Sequence, residues 1–511
     1  MTTIRHARWL AALLGVLVVF ALVPAVARSA EAAPEPVYQS LQELTGKKIA
    51  YVNGSVYNKK VAAKVDDTKE QFYPSLADCV AAVEADKADA AVQLSYCLEL
   101  VVNRKGGSVA MMPETVDKVE EAFFFPHGDP LVEKFNEVIK RFEEDGTIDR
   151  LREKWVAIDE SAKTLPQQDW DAPNGTLRFA TSGVIEPYSY VGEGGVPTGY
   201  DVEMALLIAK ELGYHLEVSA IAMDAIFASV QTGKVDFGGT LTNTPERAEM
   251  VDFTREAIPS YVAVVVKSKQ SEQGGAGFFE GISKAFHKTF IEEDRWQLIL
   301  SGLGVTVLIS VCSGVLGTLL GYGVVLARRN GKRWASKLVD GYQALMGGIP
   351  IAVVLMVLYY VVFGSLNIPG TIVSIIAFTL AFGSTSGTTM WTAISGIDSI
   401  QEEAGLALGY TRHQAFHKIV FPQAAQQFIP QLAAQFVSLV KETSVVGFIA
   451  VQDLTRAGDL IRARTMDAFF PLIATAVIYF IVCRLLAKLL SLLAAKIDVN
   501  NRPREIEGVQ A

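Results

Sequence analysis

A guanidinium, a cluster of hydroxyls and a glycine-bent loop are the parts of this 511-residue chain whose types and spacing suit chemistry. Arg247 follows Thr240 and Thr242 closely in one segment. An arginine grips a carboxylate through two parallel, charge-assisted hydrogen bonds, and a hydroxyl such as Thr242 could add another. The plainer alternative is a surface arginine paired with Glu203 or Glu246. Gly54 and Ser55 precede a predicted helix over 56–65, so their N–H groups would lie at a helix end that attracts anions. No phosphate loop of the form G-x-x-x-x-G-K-[ST] is present. Gly331-Lys332 is the nearest fragment, with Arg333 where a Ser or Thr is needed. The four cysteines lack metal-ligand spacing, so no metal or cofactor is expected. Cys79 and Cys97 could pair, whereas Cys312 and Cys483 lie in apolar spans. The chain does not read as an enzyme.

The elements that would position these residues divide sharply by composition. Half of the residues are hydrophobic and only 20% are charged, against about 25% in a typical soluble domain. The surplus apolar residues must sit in lipid. A net charge of −9 without a basic block excludes nucleic acid as an expected partner. Residues 10–27 are apolar, follow Arg5, His6 and Arg8, and end in small residues. That pattern reads as a signal peptide over 1–33, cleaved between about Ala27 and Ala33. An uncleaved anchor would orient the chain identically, placing 35–295 outside the cytoplasm. Five apolar spans are predicted near 297–326, 345–363, 370–391, 424–447 and 469–491, each close to the ~20 residues that cross a bilayer. Arg328, Arg329, Lys332, Arg333 and Lys337 fall between the first two, and Arg412, His413 and Lys418 between the third and fourth. Lys/Arg excess marks cytoplasmic loops, which agrees with the exported segment and puts the tail 493–511 in the cytoplasm.

The cytoplasmic loop 395–423 predicts a short helix over 400–408, a bend at Gly409, a second helix over 411–419 and a break at Pro422. Glu403-Ala404-Gly405, then Gly409, Ile419 and Pro422, resembles the coupling loop of ABC importer permeases, E-A-A-x₃-G-x₉-I-x-L-P, with Gly405 and Phe421 as departures. The resemblance runs through Pro430 and Lys441-Glu442-Thr443-Ser444 and covers 278–491. It points to the polar amino acid permeases. It implies that the loop docks on a separate cytoplasmic ATPase, two copies per transporter, and that two membrane halves pair, here as a homodimer. The family's Arg-Gly-Thr-Pro entering span two is Gly347-Gly348-Ile349-Pro350 here, which puts an amino acid site inside the membrane in doubt.

Residues 176–268 alternate strand and helix: strand 177–181, helix 202–212, strand 215–220, helix 225–232, strand 235–239. Pro187-Tyr188-Ser189-Tyr190, Gly199-Tyr200-Asp201-Val202 and Thr242 to Arg247 resemble the first lobe of the amino acid receptors that serve ABC importers. Residues 37–157 resemble the remainder: Gly46 to Ser55 its second-lobe opening strand and ligand loop, Ala88 to Val92 its inner strand, Phe123–Asp129 and Asn136 to Trp155 its closing strand and helices. The second half therefore precedes the first. A linker over 158–175, rich in Pro, Gln and Gly, joins them; about 18 residues reach at most ~60 Å, enough for a circular permutation. Two separate half-receptors are the alternative.

The expected fold class is multi-domain: an exported α/β two-lobe receptor of the periplasmic-binding-protein kind with permuted lobe order, then a tether and interfacial helix over 269–295 and an all-α membrane domain of five transmembrane helices over 296–492. The resemblance implies ligand contacts from Arg247, Thr242, Thr240, Ser182, Tyr188, Gly54 and Ser55. The acid that pairs the ligand's amino group in this family is Leu94 here, and Ser182 and Ile185 replace a further acid and an aromatic, leaving Glu186 as a candidate. The expected function is a membrane-embedded importer subunit with its own small-molecule receptor, for amino acids or related carboxylates, in a bacterial cytoplasmic membrane. A ligand-gated channel is the rival, since Gly321-Tyr322-Gly323 echoes a potassium filter, and a ligand sensor is a third option.

Overall fold

The computed structural model describes residues 34–497 apart from 158–159, 193–194, 222, 270–277, 330–332, 365, 367 and 450. The expected signal peptide, most of the tether and the end of the tail lie outside the described residues. Two compact units emerge: Met1–Leu300 with Ala457–Ile473, and Ser301–Arg456 with Ala474–Ala511.

The first unit is built on thirteen strands among the described residues. The first half of the chain supplies β1 (Lys48–Val52), β2 (Lys69–Tyr73), β3 (Ala90–Leu94), β4 (Val109–Met111) and β5 (Asp117–Phe125). The second half supplies β6 (Thr176–Thr181), β7 (Val184–Ile185), β8 (Ser189–Val191), β9 (Pro197–Thr198), β10 (His215–Ala220), β11 (Phe237–Thr242), β12 (Asp252–Phe253) and β13 (Ile258–Lys267). Ten of them form one sheet in the order β10-β6-β11-β5-β13-β3-β1-β2, with β12 on β5 and β4 on β13; β7, β8 and β9 form a small antiparallel sheet. β1, β2 and β3 run parallel, as do β6, β10 and β11. Between these two parallel sets, β5 and β13 pair antiparallel, with Ser260 opposite Val119. Parallel strands covered on both faces read as unbroken apolar runs, and Ala90–Leu94 is buried at every position.

Each half completes the other's lobe. Phe123 and Phe125 on β5 and Phe135 on the helix Leu131–Glu144 pack with Phe179 and Phe237 of the second half. The Phe125–Phe237 and Phe179–Phe237 ring centroids lie 5.2 and 4.7 Å apart. Truncating such a buried ring costs about 3–5 kcal/mol. Trp155, on the helix Thr147–Val156, donates its Nε1–H to Glu203 at 2.7 Å on the helix Tyr200–Glu211. Two independent half-receptors would have no reason to share this core. The strand expected at 235–239 runs instead over Phe237–Thr242, because the Asp236 carboxylate turns to bond Arg178 at 2.6 Å. Cys79 and Cys97 are buried, free thiols, so the pairing left open by sequence does not occur.

The second unit is helical. Four helices among the described residues are long and apolar enough to cross a membrane, five when one bent pair counts as a span. That pair, Arg333–Gly348 and Ile351–Val362, turns by 106° within the region where the second span, near 345–363, was expected. Pro350 disfavours helical geometry at Ile349 and starts the next helix. Gly321 faces Ser386 and Gly387 of the helix Gly370–Ser395; a side chain there would come within 2.7 Å of the Gly387 nitrogen. Gly321-Tyr322-Gly323 is thus a close helix crossing through small residues, not an ion filter. The last helix, Phe470–Ile497, leaves Phe480, Leu485 and Leu489 more than half exposed, as a lipid-facing helix does.

Candidate functional site

A cavity of about 40 Å³ lies in the first unit where its two lobes meet. Tyr57, Gln93 and Leu94 reach it from the first-half lobe, Glu121 and Phe124 from β5, and Thr181, Ser182, Tyr188, Asp201, Met223 and Thr240 from the second-half lobe. The β5–β11 register shifts between Gly238 and Leu241. Such an irregularity re-aims side chains, and Gly239, Thr240 and Leu241 all line the cavity.

Arg247 lies beside this cavity and joins the lobes. Its Nη1 donates to the Thr242 carbonyl at 2.9 Å and its Nη2 to the Gly54 carbonyl at 3.2 Å. Neither Glu203 nor Glu246 holds it: Glu203 pairs with Lys154 and Glu246 with Lys59. Burial lowers the Arg247 pKa from its usual value, yet a guanidinium stays charged. Three N–H groups therefore remain for a planar anion. The Thr242 hydroxyl donates to Glu121 Oε1 at 2.5 Å. Thr240 is committed to Asp201 through its N–H at 3.0 Å and its hydroxyl at 2.8 Å. The Tyr188 hydroxyl bonds Ser260 at 2.6 Å, and Tyr188 and Ser182 are both buried against the cavity.

The predicted helix-end cradle is corrected. The Ser55 N–H donates to the Val52 carbonyl and its hydroxyl accepts from the Tyr57 N–H. Gly54, at φ +76°, offers Arg247 its carbonyl. The following helix, Tyr57–Ala62, has six residues rather than ten. Glu186 is likewise unavailable to an ammonium. It is 2% exposed and held by Arg104 at 2.5 and 2.6 Å and by Arg464, which also bonds Glu160 at 3.0 Å and Glu293 at 3.1 Å. These two guanidiniums hold the Glu186 carboxyl down at about 2 despite its burial.

Two acids at the cavity escape the sequence reading. Burial strips water from Glu121 and Asp201 and pushes each up to about 7. Strand alternation marks Glu121 as inward-facing, though not as a site residue: Lys118 and Glu120 are exposed while Val119 and Glu121 are buried.

In the second unit the loop 395–423 forms a compact knob. Asp398 caps the helix Ser399–Ala407, Gly409 turns at φ +85°, and Thr411 forms a capping box with Gln414. Glu403 and Ala404 face outward. Gly405 sits under Ile419 and Ala415, where a Cβ would meet Ile419 Cδ1 at 2.7 Å, which explains glycine in place of the second alanine. Leu408, 79% exposed, and Ile400, 62% exposed, leave the knob's tip apolar. Pro422 does not break the chain. A π-helical turn, Phe416–Val420, precedes it, and Pro422 enters the helix Phe421–Glu442 in its first turn, where no backbone donor is needed.

Residues 177–444 match the family of bacterial extracellular solute-binding proteins, family 3. The L-cystine transport system permease protein TcyB of Bacillus subtilis (strain 168) is 28% identical over 214 residues, 41% of this chain and 90% of that protein. The probable amino-acid ABC transporter permease protein YckA of the same organism is 31% identical over 207 residues, 40% of this chain and 90% of that protein. A chain of the crystal structure of an amino acid ABC transporter with histidines is 26% identical, with a TM-score of 0.38, covering 44% of this chain and 100% of that one.

Proposed function

The chain belongs both to the bacterial extracellular solute-binding proteins, family 3, and to the amino-acid ABC transporter permeases, and we propose that it imports amino acids or related small carboxylates. It is a multi-pass permease with a receptor covalently attached. One observation carries the proposal. A two-lobed cleft with Arg247 bridging its lobes shares a polypeptide with a membrane unit that presents an exposed, glycine-bent knob. In this reading the receptor, residues 37–157 and 176–268 joined by 158–175, works outside the cytoplasmic membrane. Arg247 takes the ligand carboxylate, with Thr242, Thr240, Ser182 and Tyr188 around it. The outward-facing Glu403 and the apolar tip at Leu408 meet a separate ATPase, because the chain has no phosphate loop of its own. Two copies of the membrane unit pair as a homodimer on two ATPase copies. A signal peptide over 1–33 directs the receptor outward.

Reconstitution with the ATPase in vesicles tests this. ATP-dependent accumulation of a radiolabelled amino acid or small carboxylate is expected. An ion current that persists without ATP, or ligand binding without any uptake, would replace the importer with a channel or a sensor.

A further inference from the structure

Residues Ala457–Ile473 belong to the first unit, although the chain reaches them only after the helix Phe421–Glu442 of the second. A connection between elements normally runs exposed over the surface. This one is buried. On the helix Leu454–Thr465, Leu460 is 2% exposed and packs with Val191 and Ala220 of the second-half lobe. Ala457, Ile461 and Ala463 are buried as well, and Met466 joins the receptor's main core.

Two guanidiniums on this segment divide the lobes between them. Arg462 pairs with Asp78 on the helix Leu76–Glu84 of the first-half lobe. Arg464 pairs with Glu186 of the second-half lobe, and its Cζ stands 4.4 Å from the centre of the Tyr190 ring. Arg104, on the helix Ser95–Lys105 of the first-half lobe, closes the triangle. It reaches across to Glu186 at 2.5 and 2.6 Å and to the Arg464 carbonyl at 3.2 Å. Parting such buried pairs strands charges away from water. If the lobes separate while the segment stays on the second-half lobe, Asp78 loses Arg462 and Glu186 loses Arg104. If the segment stays on the first-half lobe, Glu186 loses both of its guanidiniums.

We propose that residues 457–466 are a latch that holds the two lobes shut without any ligand, and that the lobes part only when this segment lifts off. The receptor face around Asp78, Arg104, Glu186 and Val191 is then an interaction surface whose partner comes from the same chain. The segment runs on into the helix Phe470–Ile497. Lobe opening and displacement at the head of that helix are therefore one equilibrium, and each biases the other. Admission of a ligand waits on the latch; the ligand does not set it. The inference goes beyond the import reading and holds whatever the receptor binds.

Spin labels on Lys64→Cys and Glu217→Cys, both exposed positions, report the lobe-to-lobe distance in the full chain, held in lipid nanodiscs with no ligand added. Cys312→Ala and Cys483→Ala remove the two half-buried thiols; Cys79 and Cys97 are buried. Phe469→Cys, at a 60% exposed position, pairs with Lys64→Cys to follow the segment. Pulsed dipolar spectroscopy should give one narrow lobe-to-lobe distance. Arg462→Gln with Arg464→Gln should add a population longer by more than about 2 Å, the scale of a domain rearrangement, and should broaden the Phe469 distance with it. Arg462→Asp alone should act likewise, and adding Asp78→Arg, which reverses the pair, should restore both distances. If the double Gln variant lacks a cooperative melt, the reversal series decides alone, since its pair is 12% and 17% exposed. A parent whose lobes already populate two distances overturns the inference. Folded variants in which nothing moves overturn it too. So does a segment that loosens while the lobe distance stays put, because it then only covers the receptor. Uptake is not read, so each of these failures leaves the import reading standing.

Discussion

Replacing Glu186 by Gln should destabilise the first unit by about 3 kcal/mol. Two routes give that size. The Glu186 carboxyl is held at about 2 against an ordinary 4.5, and at ~1.4 kcal/mol per pKa unit the difference amounts to about 3 kcal/mol. The group is 2% exposed, so solvent screening takes little away. Independently, removing one partner of a buried ion pair typically costs about 3–5 kcal/mol, because the other charge stays buried. Among the described residues, Arg104 and Arg464 would be left with Glu160 and Glu293 as acidic partners. For a unit of this size a Tm drop of roughly 6–12 °C follows, read as the thermal transition of the full chain in nanodiscs. The sign with pH is fixed as well. A carboxyl with a depressed folded pKa stabilises above about 4.5 and loses that contribution as pH falls through about 2. The gap between wild type and Glu186→Gln should therefore narrow steadily below pH 4.5. A Tm change under 2 °C, or a gap that persists undiminished to pH 2.5, would refute the reasoning.

Arg247→Ala should weaken ligand binding by about 2–5 kcal/mol, measured by calorimetry, since it removes a charge-assisted clamp; unchanged affinity would eliminate Arg247 as the anchor. Gly405→Leu should cost about 1–3 kcal/mol through overlap with Ile419 and Ala415, and should abolish co-purification with the ATPase while ligand binding persists. Gly409→Val forces a branched side chain to φ +85°, a strain of about 1–2 kcal/mol or more, and should abolish vesicle uptake in the same way. Glu121 has a raised folded pKa, about 7 against 4.5, so its contribution is present below pH 4.5 and is lost as pH rises through 7, by up to about 3 kcal/mol. Denaturant midpoints at pH 5 and pH 8 should differ less in Glu121→Gln than in wild type.

The sequence made legible what is local or periodic. Gly409, six residues beyond Glu403, announces its own positive φ, and the central strands β1 and β3 announce themselves as largely apolar runs. What depended on distant partners stayed hidden. Glu186 looked like a spare acid, but its guanidiniums come from 82 and 278 residues away. Ser55 looked like an N–H donor, but a turn back to Val52 uses that group first. Pro422 read as a break because a π-helical turn, which makes room for it, carries no strong signature. Glu121 was missed because strand alternation tells which side chains turn inward, but not that a cavity waits there.

The pairing of β3 with β13 sets a timetable for biosynthesis. Leu94 lies opposite Val262, so a strand made early waits for one made about 170 residues later, roughly 10–35 s at ordinary elongation rates. β5 likewise waits for β11, with Phe124 opposite Gly238. Neither lobe can seal its sheet before β13 has been synthesised, and the long helix Arg295–Arg329 follows within a few tens of residues. An open strand edge of that duration invites aggregation. Nascent chains should therefore depend on a holding chaperone for longer than a receptor whose lobes close in order of synthesis.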